Sequence, residues 1–486
     1  MKKMDRALFE AFKAKDTRFD GRFFVGIAST KIYCRPVCRA KQARQENCTF
    51  FSSAAEAELA GYRPCLLCRP ELAPGNSIVD ASSVLAHRAA RLMEENCGGG
   101  QSIEELASRL GCTGRHLRRV FVEEFHVTPV QYLQTCRLLL AKNLLTDTDL
   151  SVLYVAMASG FGSLRRLNDL FKKQYHLSPT ALRRSAAGGK IQSGEIRVAL
   201  GYHPPCRYDE IISFLSRRAI PGVEMVAGQT YKRTVRLADR EGNIFNGWIA
   251  VENNPKKNTL SVTLSDTLIP VLSQVLARVK RLFDLYCEPA VVYETLQTMN
   301  EIRDGLSVPG IRVPGSFDSF EMAVRAVLGQ QITVKAASML AGKIAATYGT
   351  PVETGIEGLT HTFPDAGDII ALRRNIEEHF GALGVSASRS RSILALAEAL
   401  ESGEIELAGC VEPESEMKKL MGIKGIGGWT AKYISMRTME WPDAFLETDI
   451  GIRHALPGHT PKELLTLSEK WRPWRSYATM NLWNNL

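Results

Sequence analysis

Two short cysteine pairs, Cys34–Cys38 and Cys65–Cys68, constrain the fold of this 486-residue chain more than any other feature. Each pair can present two thiolates from a single turn, and the 26 intervening residues can bring the second pair to the same metal ion. The spacing therefore predicts a four-cysteine zinc site. Two disulfides, or four unrelated core thiols, are the alternatives, and a chain that stays inside the cell disfavours disulfides.

The positive charge of the chain is concentrated in its first part. Residues 1–190 carry 29 Lys and Arg against 18 Asp and Glu, whereas residues 191–486 carry 32 against 34. An excess of positive charge favours contact with a polyanion such as DNA. No uncharged apolar run reaches membrane-spanning length and the N-terminus has no hydrophobic signal core, so we expect a cytoplasmic protein without a membrane partner.

Periodicity and composition predict a multidomain chain that is mainly α with α+β parts. We expect a small four-cysteine zinc domain over residues 1–75 and a tandem helix-turn-helix domain over 80–187. A small α+β domain over 195–305 and an all-α helix-hairpin-helix domain over 306–486 follow. Residues 70–76 and 183–190 have the composition of linkers.

Two helix-turn-helix units are predicted in the second domain. The first begins at Ser102, where Glu105 completes a capping box, and turns at 111–113. The second turns at 160–163, and both units end in similar His-containing, Pro-terminated segments. A charged helix is often only a solvated surface, but two tandem copies favour DNA binding through a major groove. The predicted DNA-contacting side chains are Arg115, Arg118, Arg119, Arg165, Arg166 and Asn168.

A glycine-rich hairpin marks the last domain. Gly425, Gly427 and Gly428 lie between two predicted helices, where glycines let the backbone approach a phosphate and helix amides bind it. A Gly-x-Gly turn alone is weak evidence, but Asp449 follows at a distance typical of a helix-hairpin-helix site. As an isolated residue Asp449 would be interpreted as a helix N-cap, and both roles are compatible. Glu447, the other acid nearby, is the weaker candidate for the functional carboxylate of this site.

The first two domains resemble known families. Segments 29–41 and 61–70, with their four cysteines, resemble the zinc domain of the Ada alkylation-response family, over about residues 5–72. This resemblance implies that Cys34 accepts a methyl group from a DNA methylphosphotriester, while Cys38, Cys65 and Cys68 complete the zinc ligands. Residues 82–185 resemble the AraC-type DNA-binding domain.

Residues 195–486 resemble the AlkA family of 3-methyladenine DNA glycosylases. The segments that carry this resemblance are 281–289, 324–330, 420–433, 445–453 and 471–478. The resemblance implies that Asp449 is the catalytic acid residue and that Trp429, Tyr433 and Trp483 line the base pocket. Gln331 stands where the family has a leucine wedge in DNA, and Lys424 replaces the usual hairpin proline.

The chemistry expected of this part is hydrolysis of the bond between an alkylated base and its sugar. A flipped cationic purine suits an aromatic pocket, and an ionised Asp449 stabilises the sugar cation. Lyase-type relatives have a lysine directly after the hairpin, where this chain has Trp429, so we predict monofunctional cleavage that leaves an abasic site. No cysteine cluster follows Asp449, and we therefore expect no iron–sulfur cluster.

The sequence thus predicts a fusion of an alkylation-activated transcription regulator with a DNA glycosylase in the bacterial cytosol and nucleoid. The expected partners are double-stranded DNA, both alkylated and promoter sites, and RNA polymerase, and we expect a monomer. One alternative is a transcription factor whose glycosylase-like domain only binds DNA. Another is a glycosylase whose zinc domain is only a DNA clamp.

Overall fold

The computed structural model describes residues 2–16, 19–73, 84–99, 101–185, 195–410 and 412–485. Helices dominate, with one sheet near the N-terminus and a second sheet in the middle of the chain. This confirms the predicted fold class, a multidomain chain that is mainly α with α+β parts. Both predicted linkers, at 70–76 and 183–190, lie in part outside the described residues.

The first unit is a four-stranded sheet flanked by helices. Its strands lie in the order β3-β1-β2-β4, with β1 antiparallel to β2 and β3, and β2 parallel to β4. Gly26 is required in β1, because a Cβ atom there would come within 2.6 Å of the Phe51 ring. The elements are α1 (Lys2–Ala14), β1 (Phe24–Ile27), β2 (Ile32–Cys34), β3 (Cys48–Phe51), α2 (Ala54–Leu59) and β4 (Arg63–Pro64).

The second unit contains both predicted helix-turn-helix pairs. Ser102 and Glu105 form the predicted capping box at the start of α4. His126 and His176 end the recognition helices α5 and α8 in the left-handed conformation, at φ 56° and 55°, which explains the repeated segment. The helices are α3 (Val84–Glu95), α4 (Ile103–Arg109), α5 (Gly114–Phe125), α6 (Pro129–Asp147), α7 (Val152–Ala158), α8 (Leu164–Tyr175) and α9 (Pro179–Ser185).

A five-stranded antiparallel sheet forms the third unit, in the order β5-β9-β8-β7-β6. Residue patterns in the sequence predict strands over 196–200, 230–237, 244–251 and 260–264, and the structure has a strand at each of them. The four-residue strand β6 is too short to give such a pattern. The sequence also predicts an amphipathic helix over 268–285. This segment begins as a 3₁₀ helix, Asp266–Val271, and continues as the α-helix Leu272–Leu282. The elements are β5 (Glu195–Gly201), α10 (Tyr208–Ser216), β6 (Glu224–Ala227), β7 (Thr230–Ala238), β8 (Ile244–Asn254), β9 (Thr259–Ser265), α11 (Leu272–Leu282) and α12 (Pro289–Leu296).

The last unit is helical and closes on a core that includes Trp471 and Trp474, both almost fully buried. The sequence Asp-Ser-Phe-Glu at 318–321 predicts a helix cap, and Asp318 does cap the first helix by accepting from the Glu321 amide at 2.8 Å. Its helices are α13 (Ser319–Leu328), α14 (Val334–Tyr348), α15 (Ala366–Ala371), α16 (Ile376–Ala382), α17 (Ala387–Glu401), α18 (Pro413–Gly422), α19 (Gly428–Thr438), α20 (Ile450–Ala455), α21 (Pro461–Ser468) and α22 (Arg475–Asn484).

The units pack directly on one another. Helix α2 lies against α6, and α3 lies against α11. At the second contact Arg281 and Glu95 form a bidentate ion pair with N–O distances of 2.8 and 2.9 Å. Within the described parts of the chain, no helix has the length and apolar character needed to cross a membrane.

Candidate functional site

The four predicted zinc ligands converge on one point. The sulfur atoms of Cys34, Cys38, Cys65 and Cys68 all lie within 4.8 Å of one another. Cys34 ends strand β2 and Cys65 directly follows strand β4, so the parallel pairing of these two strands brings the two cysteine pairs together. Three of the ligands are buried, and Cys68 is partly exposed.

The surroundings of the cluster suit a metal bound by thiolates. The backbone amide of Arg35 donates to Cys68 Sγ at 3.3 Å, and that of Leu67 donates to Cys65 Sγ at 3.4 Å. Amide donors stabilise anionic sulfur, and four thiolates this close together match the tetrahedral set that zinc prefers. The cluster is a site for one Zn²⁺ ion, as predicted.

The predicted DNA-contacting residues lie on the surface of the recognition helices. Arg115, Arg118 and Arg119 are exposed on α5, and Arg165 and Arg166 are exposed at the start of α8. Exposed ion pairs hold some of them within the protein: Arg118 contacts Glu104 at 2.5 Å, and Arg165 contacts Asp169 at 3.8 Å. Asn168 is partly buried on α8. Such exposed pairs are weak and can exchange for phosphate.

In the last unit, Asp449 is held by two tryptophans. It caps α20 by accepting from the Ile452 amide at 3.2 Å, so the N-cap role is confirmed. Trp429 Nε1 donates to Asp449 Oδ2 at 3.0 Å, and Trp483 Nε1 donates to Oδ1 at 2.8 Å. The carboxylate therefore has a fixed direction at the edge of an aromatic wall.

That wall contains all three predicted pocket residues. Trp429 and Tyr433 stack on successive turns of α19, with ring centroids 5.2 Å apart and planes 15° apart. The Tyr433 ring lies 6.2 Å from Trp483. Phe214, from α10 of the third unit, stacks on Trp483 at 6.4 Å. The α+β unit thus supplies part of the wall, which sequence analysis did not predict.

A buried arginine lies behind the wall and was also missed. Arg437 donates to the Tyr433 hydroxyl at 2.7 Å, and its guanidinium lies 4.8 Å from the centre of the Phe214 ring. Burial raises the pKa of Tyr433, but Arg437, Arg218 and Arg325 outweigh it and the pKa is lower than usual. The spacing of Trp429, Tyr433 and Arg437, four residues apart on one helix, was the available signal.

The hairpin and the turn that contains Gln331 are joined by a neighbouring side chain. Gln330 Nε2 donates to the Gly425 carbonyl at 2.8 Å and to Thr430 Oγ1 at 3.1 Å. Gln331 is exposed and left-handed, at φ 55°. Only glycine fits at position 425 in this packing, because a Cβ atom there would lie 2.3 Å from Ser392 Oγ.

The other two predicted glycines, unlike Gly425, face open space. A Cβ atom at Gly427 or Gly428 would have no neighbour within 4 Å, and Gly427 is the N-cap of α19. The first amides of α19 therefore stand at a helix end with room beside them, as phosphate binding requires.

Two further charged residues near the pocket pair with each other. Lys432 Nζ lies 2.6 and 2.5 Å from the two carboxylate oxygens of Glu447. Both side chains are largely buried. Lys432 lies one turn after Trp429 on α19, and Glu447 lies two residues before Asp449.

Comparison with known proteins assigns families to three parts of the chain. Residues 7–71 match the metal binding domain of Ada, residues 106–185 a helix-turn-helix domain, and residues 197–318 the AlkA N-terminal domain. The matched parts and the sites above define a class of protein in which a metal-binding DNA regulator precedes a glycosylase-type unit.

Similarity also extends over whole chains. The chain is 35% identical to the "Probable bifunctional transcriptional activator/DNA repair enzyme AlkA" of Mycobacterium tuberculosis, over 98% of this chain and 96% of that protein. DNA-3-methyladenine glycosylase 2 of Escherichia coli is 34% identical over 58% of this chain and 95% of its own length. The Escherichia coli bifunctional activator/repair enzyme Ada is 35% identical over 27% of this chain and 36% of its own. The chain belongs to the family of bifunctional transcriptional activator/DNA repair enzymes AlkA.

Proposed function

We propose that the last two units excise alkylated purines such as 3-methyladenine from DNA by hydrolysis, with Asp449 as the catalytic residue. The observation that carries this proposal is the carboxylate clamped by the Trp429 and Trp483 indoles beside an aromatic wall. A planar base that has left the helix can lie against such a wall. The alternative, a fold that only binds DNA, accounts for the N-cap bond to the Ile452 amide but gives no role to the two indole donors.

In the proposed reaction, the bond between sugar C1′ and the base nitrogen breaks, and its electron pair leaves with the base. The positive charge that develops on the sugar is stabilised by the Asp449 carboxylate. Water then adds to C1′ and releases a proton to the carboxylate or to solvent. The two indole donors keep the carboxylate aimed at the sugar without reorganisation.

We expect the product to be an intact abasic site. A lyase needs a free amine to form a Schiff base with the sugar. Lys432, one turn after Trp429, is bound by both oxygens of Glu447 and is therefore not free to attack.

The test is base release from methylated DNA by the full-length protein and by Asp449→Asn. Asparagine also caps helices, so α20 should remain folded. We expect release of 3-methyladenine to fall by roughly 100-fold or more, without strand cleavage in either protein. Asp365→Asn, at the exposed N-cap of α15, is the matched control and should release base at a rate close to wild type. Equal release by wild type and Asp449→Asn would refute Asp449 as the catalytic residue, and no release by wild type would leave DNA binding as the function of this unit.

The zinc domain is proposed to remove methyl groups from DNA methylphosphotriesters onto Cys34. The Cys34 sulfur attacks the methyl carbon, the carbon–oxygen bond breaks, and the phosphate leaves as a diester anion. Zinc coordination keeps the sulfur in its nucleophilic thiolate form at neutral pH. Cys34 is only 6% exposed, so the methyl group of the phosphotriester must come into direct contact with the cysteine cluster to meet the sulfur.

Mass spectrometry after incubation with a synthetic methylphosphotriester duplex tests this transfer. The expected result is one added methyl group on Cys34 and none on Cys38, Cys65 or Cys68. A protein that binds the duplex but gains no methyl group has only a DNA clamp at this position. Methylation of a different ligand would move the acceptor role to that cysteine.

Methylation is proposed to activate transcription through the helix-turn-helix units. A methylated Cys34 carries one negative charge less, so repulsion from DNA phosphates decreases. The activated protein is proposed to act as a monomer with RNA polymerase at promoters of repair genes. The promoter affinity of wild type should therefore rise on methylating treatment, and an unchanged affinity with Cys34 methylated would refute the switch.

A further inference from the structure

The buried carboxyl group of Glu58 joins the zinc domain to the helix-turn-helix unit. It lies on α2 and is only 5% exposed. Three hydroxyl groups from three different elements donate to it. They are Tyr33 at 3.0 Å, Thr135 at 3.0 Å and Tyr175 at 3.1 Å.

The first donor is part of the cysteine cluster's framework. Tyr33 directly precedes Cys34 in β2, and its carbonyl accepts from the Cys65 amide at 3.0 Å. The backbone of Tyr33 therefore contacts both cysteine pairs, while its hydroxyl is fixed on Glu58. A shift of β2 must move this hydroxyl, because the ring is fully buried and packs edge-on against Phe24.

The other two donors belong to the DNA-binding helices. Thr135 lies on α6, which connects the two helix-turn-helix units, and Tyr175 is the last residue of recognition helix α8. The preceding residue strengthens this link, since Gln174 Nε2 donates to the Glu58 carbonyl at 2.7 Å. The side chain and the backbone of one residue in the zinc domain thus hold the C-terminal end of α8.

These bonds are separate from the contacts that dock the two units. Lys142 on α6 forms a buried ion pair with Glu71 at 2.5 Å, and Arg69 pairs with Asp147 at 2.8 Å. Loss of one hydroxyl at Glu58 therefore leaves the units in contact. It removes one of the three hydrogen bonds that orient the buried Glu58 carboxyl group.

We propose that Glu58 is a positioning residue that couples the state of Cys34 to the second recognition helix. A change at the cluster moves β2, Tyr33 carries the movement to Glu58, and Glu58 passes it to Thr135 and Tyr175. The inference rests on the proposed methyl acceptance by Cys34 and adds the route by which that event reaches α8. A coupling of this kind is shown only by a measured change at the distant site.

The experiment is hydrogen exchange of residues 164–175 in the full-length protein. Each variant is incubated with a synthetic duplex that carries one methylphosphotriester, and with the unmodified duplex of the same sequence as reference. Thr135→Val and Tyr175→Phe each remove one hydroxyl donor. Thr148→Val is the matched control, because that buried hydroxyl donates to Leu144 within its own unit, at 2.6 Å. Methylated Cys34 is quantified in every sample.

In wild type and Thr148→Val, methylation should change exchange in α8 relative to the reference duplex. In Thr135→Val and Tyr175→Phe the change should fall by half or more, while Cys34 is methylated at the wild-type rate. An undiminished change in both donor variants, or no change in wild type with Cys34 methylated, would overturn the inference. Unmodified Cys34 in wild type would instead refute methyl acceptance, and the inference with it.

Discussion

The indole N–H of Trp483 lies 2.8 Å from Oδ1 of Asp449, although one residue is in the last helix, α22, and the other caps α20. The contact makes Trp483 a pocket wall and a hydrogen-bond donor at once. Together with the Trp429 contact to Oδ2, it supplies a donor to each carboxylate oxygen.

Trp483→Phe keeps an aromatic wall and removes this donor. A hydrogen bond to a charged group contributes about 1.5–3 kcal/mol, so we expect kcat for base release to fall roughly tenfold or more. KM should change less, because the ring remains. Single-turnover base release measures the effect. Trp441→Phe is the control, since Trp441 is half-buried in the same unit, and it should leave the rate unchanged.

Removal of one zinc ligand should unfold the cluster. Structural zinc sites contribute folding free energy directly, so Cys38→Ala should lose bound zinc and the thermal transition of the zinc domain. Zinc content by atomic emission and calorimetry of the full-length protein check this. Cys48→Ala, outside the ligand set, should retain one zinc ion per chain. Full zinc in Cys38→Ala would contradict the ligand assignment.

Arg166 is exposed on α8 and is expected to contact a DNA phosphate or base. Arg166→Ala should weaken DNA binding and reduce the slope of log affinity against log salt concentration by about 1. Fluorescence anisotropy with a labelled duplex over a series of salt concentrations measures the slope. Lys256→Ala removes an exposed charge from the turn between β8 and β9, and it should leave the slope unaltered.

The ion pair between Arg281 and Glu95 should contribute to the contact between α11 and α3. Both side chains are largely buried, at 13% and 15% exposure, so Arg281→Met leaves an uncompensated carboxylate and should cost about 3–5 kcal/mol. Unfolding in guanidinium chloride measures the effect, and the midpoint concentration of the transition should decrease. Arg240→Met breaks the exposed pair with Glu105, at 46% and 50% exposure, and should cost only about 0–1 kcal/mol.

Burial raises the pKa of Glu58 from 4.5 to about 8, against the opposing effects of its three hydroxyl donors and of Lys142. Between these values the folded protein binds more protons than the unfolded chain, so stability decreases as pH rises through this window. Wild type should therefore lose thermal stability relative to Glu58→Gln as pH rises from about 5.5 to about 8.5. A difference in Tm between the two proteins that stays constant over this pH range would contradict the raised pKa of Glu58.

The sequence predicted those features of the structure that depend only on residues close together in the chain. The capping box at Ser102, the strands of the central sheet and the two cysteine pairs each depend on short spacing, and the structure has all of them. Asp449 as an N-cap is a local property of the same kind.

Only the tertiary structure decided which distant residues complete the sites. Phe214 reaches Trp483 from another unit, Arg437 meets the Tyr433 hydroxyl, and Glu58 gathers hydroxyls from residues up to 117 positions away. A single sequence specifies the type of each side chain and its local conformation. The packing of whole units decides whether a buried carboxylate or ring finds its partner, because burial makes those partners necessary and distance along the chain does not reveal them.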